Sequence, residues 1–184
     1  MKYTVTKEFL LEKEYLIVLG FVELYGSTPD AYAAQERVTA GWAADGSAER
    51  LRRAAGADEV YLLFCRTCRL YESTGGYICG HELACENVNH RRAGDGFDAV
   101  RLDACEHAVF DCSFDCEMTR VQAYKTIDGL YWDGWLRDNP YQSMIDGEYA
   151  NDPGTAAVTL ADPFYPCAET FRIKTWYPIR RKEV

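Results

Sequence analysis

The chain has 184 residues, 48% of them hydrophobic and 27% charged, which suits one globular domain that buries roughly 70% of its unfolded surface. Its 29 acidic against 20 basic side chains leave a net charge of −9, which argues against a direct nucleic-acid partner because phosphate binding needs a basic surface. No apolar run approaches the roughly 18 residues of a membrane span, and the start MKYTVTKEF lacks the apolar core of a signal peptide; a cytoplasmic protein with no membrane partner and reduced cysteine thiols is expected.

In chain order, EYLIVLGFVEL (14–24) is a continuous apolar run and predicts a buried strand. GSTPD follows with turn chemistry, Pro29 suits a first helical turn, and Ala31, Ala34, Val38 and Trp42 recur at helical spacing. DGS interrupts this helix. Ser47 is placed to cap a second one carrying Leu51 and Ala54, with Gly56 as its stop. EVYLLFC (59–65) predicts another strand and GGYICGHEL (75–83) its hairpin partner, while the polar stretch 84–96 predicts a loop.

HAVFDCSFDC (107–116) alternates Phe110, Cys112, Phe114 and Cys116 with Asp111, Ser113 and Asp115, the period of a strand with one buried and one polar face. From 117 to about 137, Val121, Tyr124, Ile127, Tyr131 and Trp135 fall within an arc of about 120°, a core-facing helical stripe with Trp132 on its edge. Asn139-Pro140 ends that helix, because a residue before proline avoids the helical region. ETFRIKTWYPI (169–179) alternates again, with Phe171, Ile173 and Tyr177 on one side and Arg172, Lys174 and Trp176 on the other. The element order predicts an α+β fold of duplicated βαββ units, approximately 1–103 and 104–184, forming an antiparallel sheet with helices on one face and a ligand groove on the other.

Flat aromatic side chains are the candidates for the wall of such a groove, with core packing as the competing role for each. CRTC (65–68) has the spacing of half a zinc or redox site, but Cys79, His81 and Cys85 are irregularly spaced and the pair closes a strand instead of opening a helix. No metal and no cofactor is expected. No nucleophile motif is present, so no catalytic residue is assigned; Asp111, Asp115 and Glu148 are the carboxylates an enzyme would use.

AYKTIDGLYWDGWLRDNPYQ followed by FRIKTWYPI resembles the effector-binding domain shared by AraC-type regulators and GyrI-like proteins. Tyr131, Trp135, Leu136 and Tyr141 match that family's closing helix and turn, and Trp176, Pro178 and Ile179 match its last strand. Upstream, Gly80, Gly96, Phe97, Val109 and Phe110 fall where the family places its own. The resemblance implies a groove between two βαββ halves that binds hydrophobic, aromatic or drug-like molecules. It also implies a bacterial, multidrug-binding relative of transcription regulators, of the stand-alone kind because there is no room for a helix-turn-helix module.

Two departures are informative. The glutamate that the family's last strand places four residues before its proline is Lys174 here, with Arg172 on the same face, which suits an anionic or neutral ligand at least as well as a cation. The family's E.Y segment becomes Glu148 followed directly by Tyr149. The expected ligand-binding residues are therefore Trp42, Trp132, Trp135, Tyr141, Glu148, Tyr149, Lys174 and Trp176. The expected activity is small-molecule sequestration or sensing, not catalysis. The alternatives are a hydrolase of a groove-bound molecule and a module with a protein partner, such as a gyrase inhibitor.

Overall fold

The structure, a computed structural model, describes residues 1–10, 13–18, 24–25, 28–64, 69–71, 76–79, 81–92, 94, 96–145, 155–160 and 169–183, with side chains described outside 9–31, 69–71 and 76–79. The strands are β1 (Lys2–Leu10), β2 (Lys13–Val18), β3 (Leu24–Tyr25), β4 (Tyr61–Phe64), β5 (Arg69–Tyr71), β6 (Gly76–Cys79), β7 (His81–Glu86), β8 (Phe97–Leu102), β9 (Cys105–Asp115), β10 (Tyr141–Ser143), β11 (Ala157–Leu160) and β12 (Thr170–Arg181). Helices α1 (Thr28–Ala44) and α2 (Ser47–Ala55) precede β4; α3 (Arg120–Gly129), a π-helical turn (Leu130–Trp135) and α4 (Leu136–Asp138) follow β9.

Among the described residues one antiparallel sheet runs in the order β1-β9-β12-β11-β4-β7-β2-β8, with β10 added to β12, and β3, β6 and β5 form a small second sheet. The succession strand, helix, strand, strand occurs twice, as β2, α1–α2, β4, β7 and as β9, α3, β11, β12. The two units meet where β4 pairs with β11, Leu63 opposite Val158. The strand that precedes each unit lies on the edge of the other: β1 pairs with β9, and β8 with β2.

Strand alternation decides which side chains meet the helices. Phe110, Cys112 and Phe114 of β9 and Phe171, Ile173, Tyr177 and Ile179 of β12 form one buried cluster with Ala123, Tyr124 and Ile127 of α3 and Tyr131. Each such large apolar side chain contributes about 1.5–3 kcal/mol on burial. Helix α2 packs over β2 and β7, burying Leu51 and Ala55 against Trp42, Leu62 and Leu83. The opposite face of the sheet carries Leu63, Ala84, Val100 and Val158, with Tyr61 and Trp176 packed against them.

Local chemistry fixes the helix ends. Thr119 Oγ1 accepts from the Gln122 N–H at 3.2 Å while Gln122 Oε1 accepts from the Thr119 N–H at 2.9 Å, a reciprocal cap that starts α3. Gly56, at φ +72°, ends α2 as expected. Ser47 does not cap α2; it is the first helical residue, and its N–H donates to Asp45 Oδ1 at 2.8 Å.

Other expectations are corrected. The 14–24 run divides between β2 and β3, which belong to different sheets. Residues 84–86 are strand, because Ala84 and Cys85 are fully buried on opposite faces of β7 and the loop begins only at Asn87. Cys116 lies beyond the end of β9, exposed and disulfide-bonded, instead of as a buried thiol, whereas Cys85, Cys105 and Cys112 are free. The long helix is not uniform: Leu136 N–H reaches five residues back to Tyr131 O. Among the described residues no helix is long and apolar enough to cross a membrane.

Candidate functional site

The π-helical turn gathers the aromatic residues of the YWDGW stretch into a ladder on the helix side of the sheet. Tyr131 is fully buried and stacks on Tyr177 of β12 at 3.9 Å between ring centroids. Trp135 lies parallel to Tyr131 at 6.5 Å, and Tyr141 stacks on Trp135 at 5.6 Å. Trp132 meets the edge of Tyr131 at 4.7 Å. At the far end Lys7 Nζ lies 4.9 Å from the Tyr141 ring centroid and donates to its hydroxyl at 2.7 Å. Trp132, Trp135 and Tyr141 are all partly exposed, so this ladder presents aromatic surface as well as filling the core.

A carboxyl stands at the inner end. Tyr177 OH donates to Asp128 Oδ1, and Tyr32 OH, from α1, donates to Asp128 Oδ2. Three elements thus converge on Asp128: its own helix α3, the first helix of the other βαββ unit, and the last strand. Asp128 is partly buried. Desolvation pushes its carboxyl above the ordinary range, opposed by the two tyrosine hydrogen bonds. The same crowding and the neighbouring carboxylate push both phenols above their usual value, which keeps them protonated as hydrogen-bond donors to Asp128. Phe64 of β4 packs against the same cluster and stacks on His81 at 4.8 Å. His81 is held neutral by burial, its imidazole lowered to about 3.

The other expected residues go elsewhere. Trp42 is buried between α1 and α2. Lys174 and Trp176 alternate onto the face away from the helices, where Glu8 of β1 joins them across the exchanged edge. Trp176 Nε1 donates to Glu8 Oε2 at 3.0 Å, Lys174 Nζ is 3.5 Å from Glu8 Oε1, and that ammonium lies 4.5 Å from the Trp176 ring centroid. Beside them Arg172 Nε donates to Asp111 Oδ1 at 2.5 Å, and its guanidinium holds that carboxyl below its usual value. Glu148, Tyr149 and the CRTC stretch lie outside the described residues. Among the described residues no group of three metal-ligating side chains is assembled.

Sequence reasoning did not single out Tyr32, Asp128 or Tyr177 as a site. One signal was present: at 100° per residue Asp128 falls inside the arc of the apolar stripe from Val121 to Trp135. An acidic residue in a core-facing stripe must find hydrogen-bond donors there. Its partners come from 96 and 49 residues away, which no local pattern reveals.

The architecture is an antiparallel sheet built from two βαββ units, with a carboxyl and an aromatic ladder at the helix–sheet junction. No family model and no curated protein matches the sequence, but solved structures share this architecture. A proposed bacterial transcription regulation protein from Staphylococcus aureus aligns with a TM-score of 0.60 and 12% identity over 98% of this chain and 99% of that one. SAV2435, solved bound to tetraphenylphosphonium, aligns at 0.57 and 11% identity over 98% and 94%. EcmrR, from its complex with DNA, aligns at 0.51 and 10% identity over 98% of this chain but 58% of its own. At these identities the likeness is one of fold, and it is consistent with the GyrI-like resemblance in the sequence.

Proposed function

We propose that the protein binds small hydrophobic aromatic molecules at the helix-side site and acts by sequestering or sensing them, as a relative of the effector domains of transcription regulators. The observation that carries this reading is the Asp128 carboxyl clasped by Tyr32 and Tyr177 at the head of a partly exposed aromatic ladder. Rigid rings supply contact area at small entropic cost, and a few convergent polar groups orient the ligand. The tetraphenylphosphonium carried by SAV2435 supports the same ligand class.

Titration with the uncharged aromatic probe N-phenyl-1-naphthylamine, followed by its fluorescence, tests this. Saturable binding is expected, weakened about tenfold or more in Trp135→Ala, the loss of one ring contact. A folded wild-type protein that gives no saturable signal overturns the reading. The carboxyl–phenol pair also supports a second one, hydrolysis of the bound molecule with Asp128 and Tyr177 moving the proton; product formation with a bound ester or strained-ring compound would favour it.

A further inference from the structure

Strand β1 runs for nine residues and pairs with β9 along its whole length, from Lys2 opposite Ser113 to Leu10 opposite Cys105. Among the described residues it ends the sheet on that side. Lys2, Tyr3, Thr4, Thr6 and Lys7 are exposed, Tyr3 at 49%, so neither face of this stretch is covered. An edge strand directs alternate N–H and C=O groups away from its neighbour, and a strand of another chain can take them up.

The side chains decide which strand suits this edge. Directly opposite residues of an antiparallel pair share a face of the sheet. Two copies of one chain pair about a two-fold axis perpendicular to the sheet, which sets one residue opposite itself. With Val5 on the partner's Val5, Lys2 meets the partner's Glu8, Tyr3 meets the partner's Lys7, and Thr4 meets the partner's Thr6. These are opposite charges, a cation against a ring, and two hydroxyls, all favourable cross-strand pairs. Centring on Thr4 instead leaves Lys2 against a threonine, centring on Thr6 leaves Lys7 against a valine, and centring on Lys7 sets two ammonium groups together. Only the Val5 register joins opposite charges.

The groups involved are accessible for it. Lys2 makes no ion pair of its own among the described residues. The Glu8 side chain, although 3.5 Å from Lys174, is 38% exposed, and that of Lys7, beside Glu106, is 46% exposed. Strand β8, at the other end of the sheet, has no equivalent register, because Asp98 and Arg101 are three residues apart and point to opposite faces. We propose that β1 is a self-association edge, where two copies of this chain join antiparallel with Val5 on Val5 and their sheets become one. The axis keeps the helices of both copies on the same side. The strip is narrow and polar, so the dimer is weak, reversible and loosened by salt.

The test is sedimentation velocity of the purified protein from about 1 μM to about 500 μM, with each variant first checked for a cooperative melt. A concentration-dependent dimer is expected, weakened about tenfold or more by Lys2→Glu, which sets two carboxylates together at each end of the paired strands. The register is read by crosslinking. Opposite Cα atoms lie about 4.5–5.5 Å apart, within disulfide reach, so Val5→Cys should oxidise to a dimer that a reductant dissolves. Thr6→Cys alone should give no more dimer than wild type, but should crosslink when mixed with Thr4→Cys. A protein that stays monomeric over the whole range overturns the proposal. So does a dimer that Lys2→Glu leaves unchanged, or one that Thr6→Cys alone crosslinks as readily as Val5→Cys.

Discussion

Asp128 and Glu8 are both carboxylates that accept from an aromatic side chain, and they lie on opposite faces of the same sheet. Glu8 accepts from the Trp176 indole and has the Lys174 ammonium 3.5 Å away, with both charged side chains part-exposed. Asp128 accepts from two phenols and, among the described residues, has no cation beside it. The first arrangement is electrically complete. The second, among the described residues, is not, and that difference supports the proposal that ligands bind on the helix side.

The comparison can be broken at the level of stability. If the helix face carries the packing, Phe110→Ala should lower the unfolding free energy by about 3–5 kcal/mol in urea, because Phe110 is fully buried and meets Tyr131 and Tyr177 edge-on at 6.0 and 5.7 Å. A loss below about 1 kcal/mol would mean that the cluster refills easily and the site is not rigidly framed.

A second measurement sharpens the electrostatic half. Asp128 has a raised folded value, so the folded protein holds this proton more tightly than the unfolded chain does. Its contribution to stability is full below the unfolded carboxylate value and is lost as the pH rises through the folded one. The buried imidazoles His81 and His107, both lowered, act in the opposite sense, as do Asp111 and the other carboxylates held below their usual range. The informative quantity is therefore the difference between the urea midpoints of wild type and Asp128→Asn across pH. That difference should shift in favour of the variant as pH rises; parallel curves would show that Asp128 titrates as an ordinary carboxyl.

The smallest effect is expected on the other face. Glu8→Gln removes the charge opposite Lys174 but keeps an oxygen for the Trp176 indole, and the pair is part-exposed and screened. Stability should change by less than about 1 kcal/mol. A larger loss in the same urea assay would place the electrostatic weight of the fold on the exchanged β1 edge.

Much of this was legible in the chain. The alternation of Phe110, Cys112 and Phe114 specified β9 and its buried face, and the same period in FRIKTWYPI divided Ile173 and Tyr177 from Lys174 and Trp176. Helical spacing found the stripe Tyr124, Ile127, Tyr131, and Gly56 marked the end of α2. These features are local: a strand alternates every second residue and a helix repeats about every 3.6, whatever lies across the fold.

Only the tertiary structure decided the rest. The sequence shows a strand-forming N-terminus no more clearly than a tail, because an edge strand becomes one through its partner, and the partner of β1 is β9, with Lys2 opposite Ser113. Placing Trp176 and Lys174 away from the helices, while Trp132, Trp135 and Tyr141 gather on the other side, follows from sheet pairing and a π-helical turn that periodicity cannot show. The Asp128 site needed both units at once. A helix from one unit brings Tyr32, and the last strand of the other brings Tyr177, to a carboxyl whose environment exists only when the chain has closed on itself.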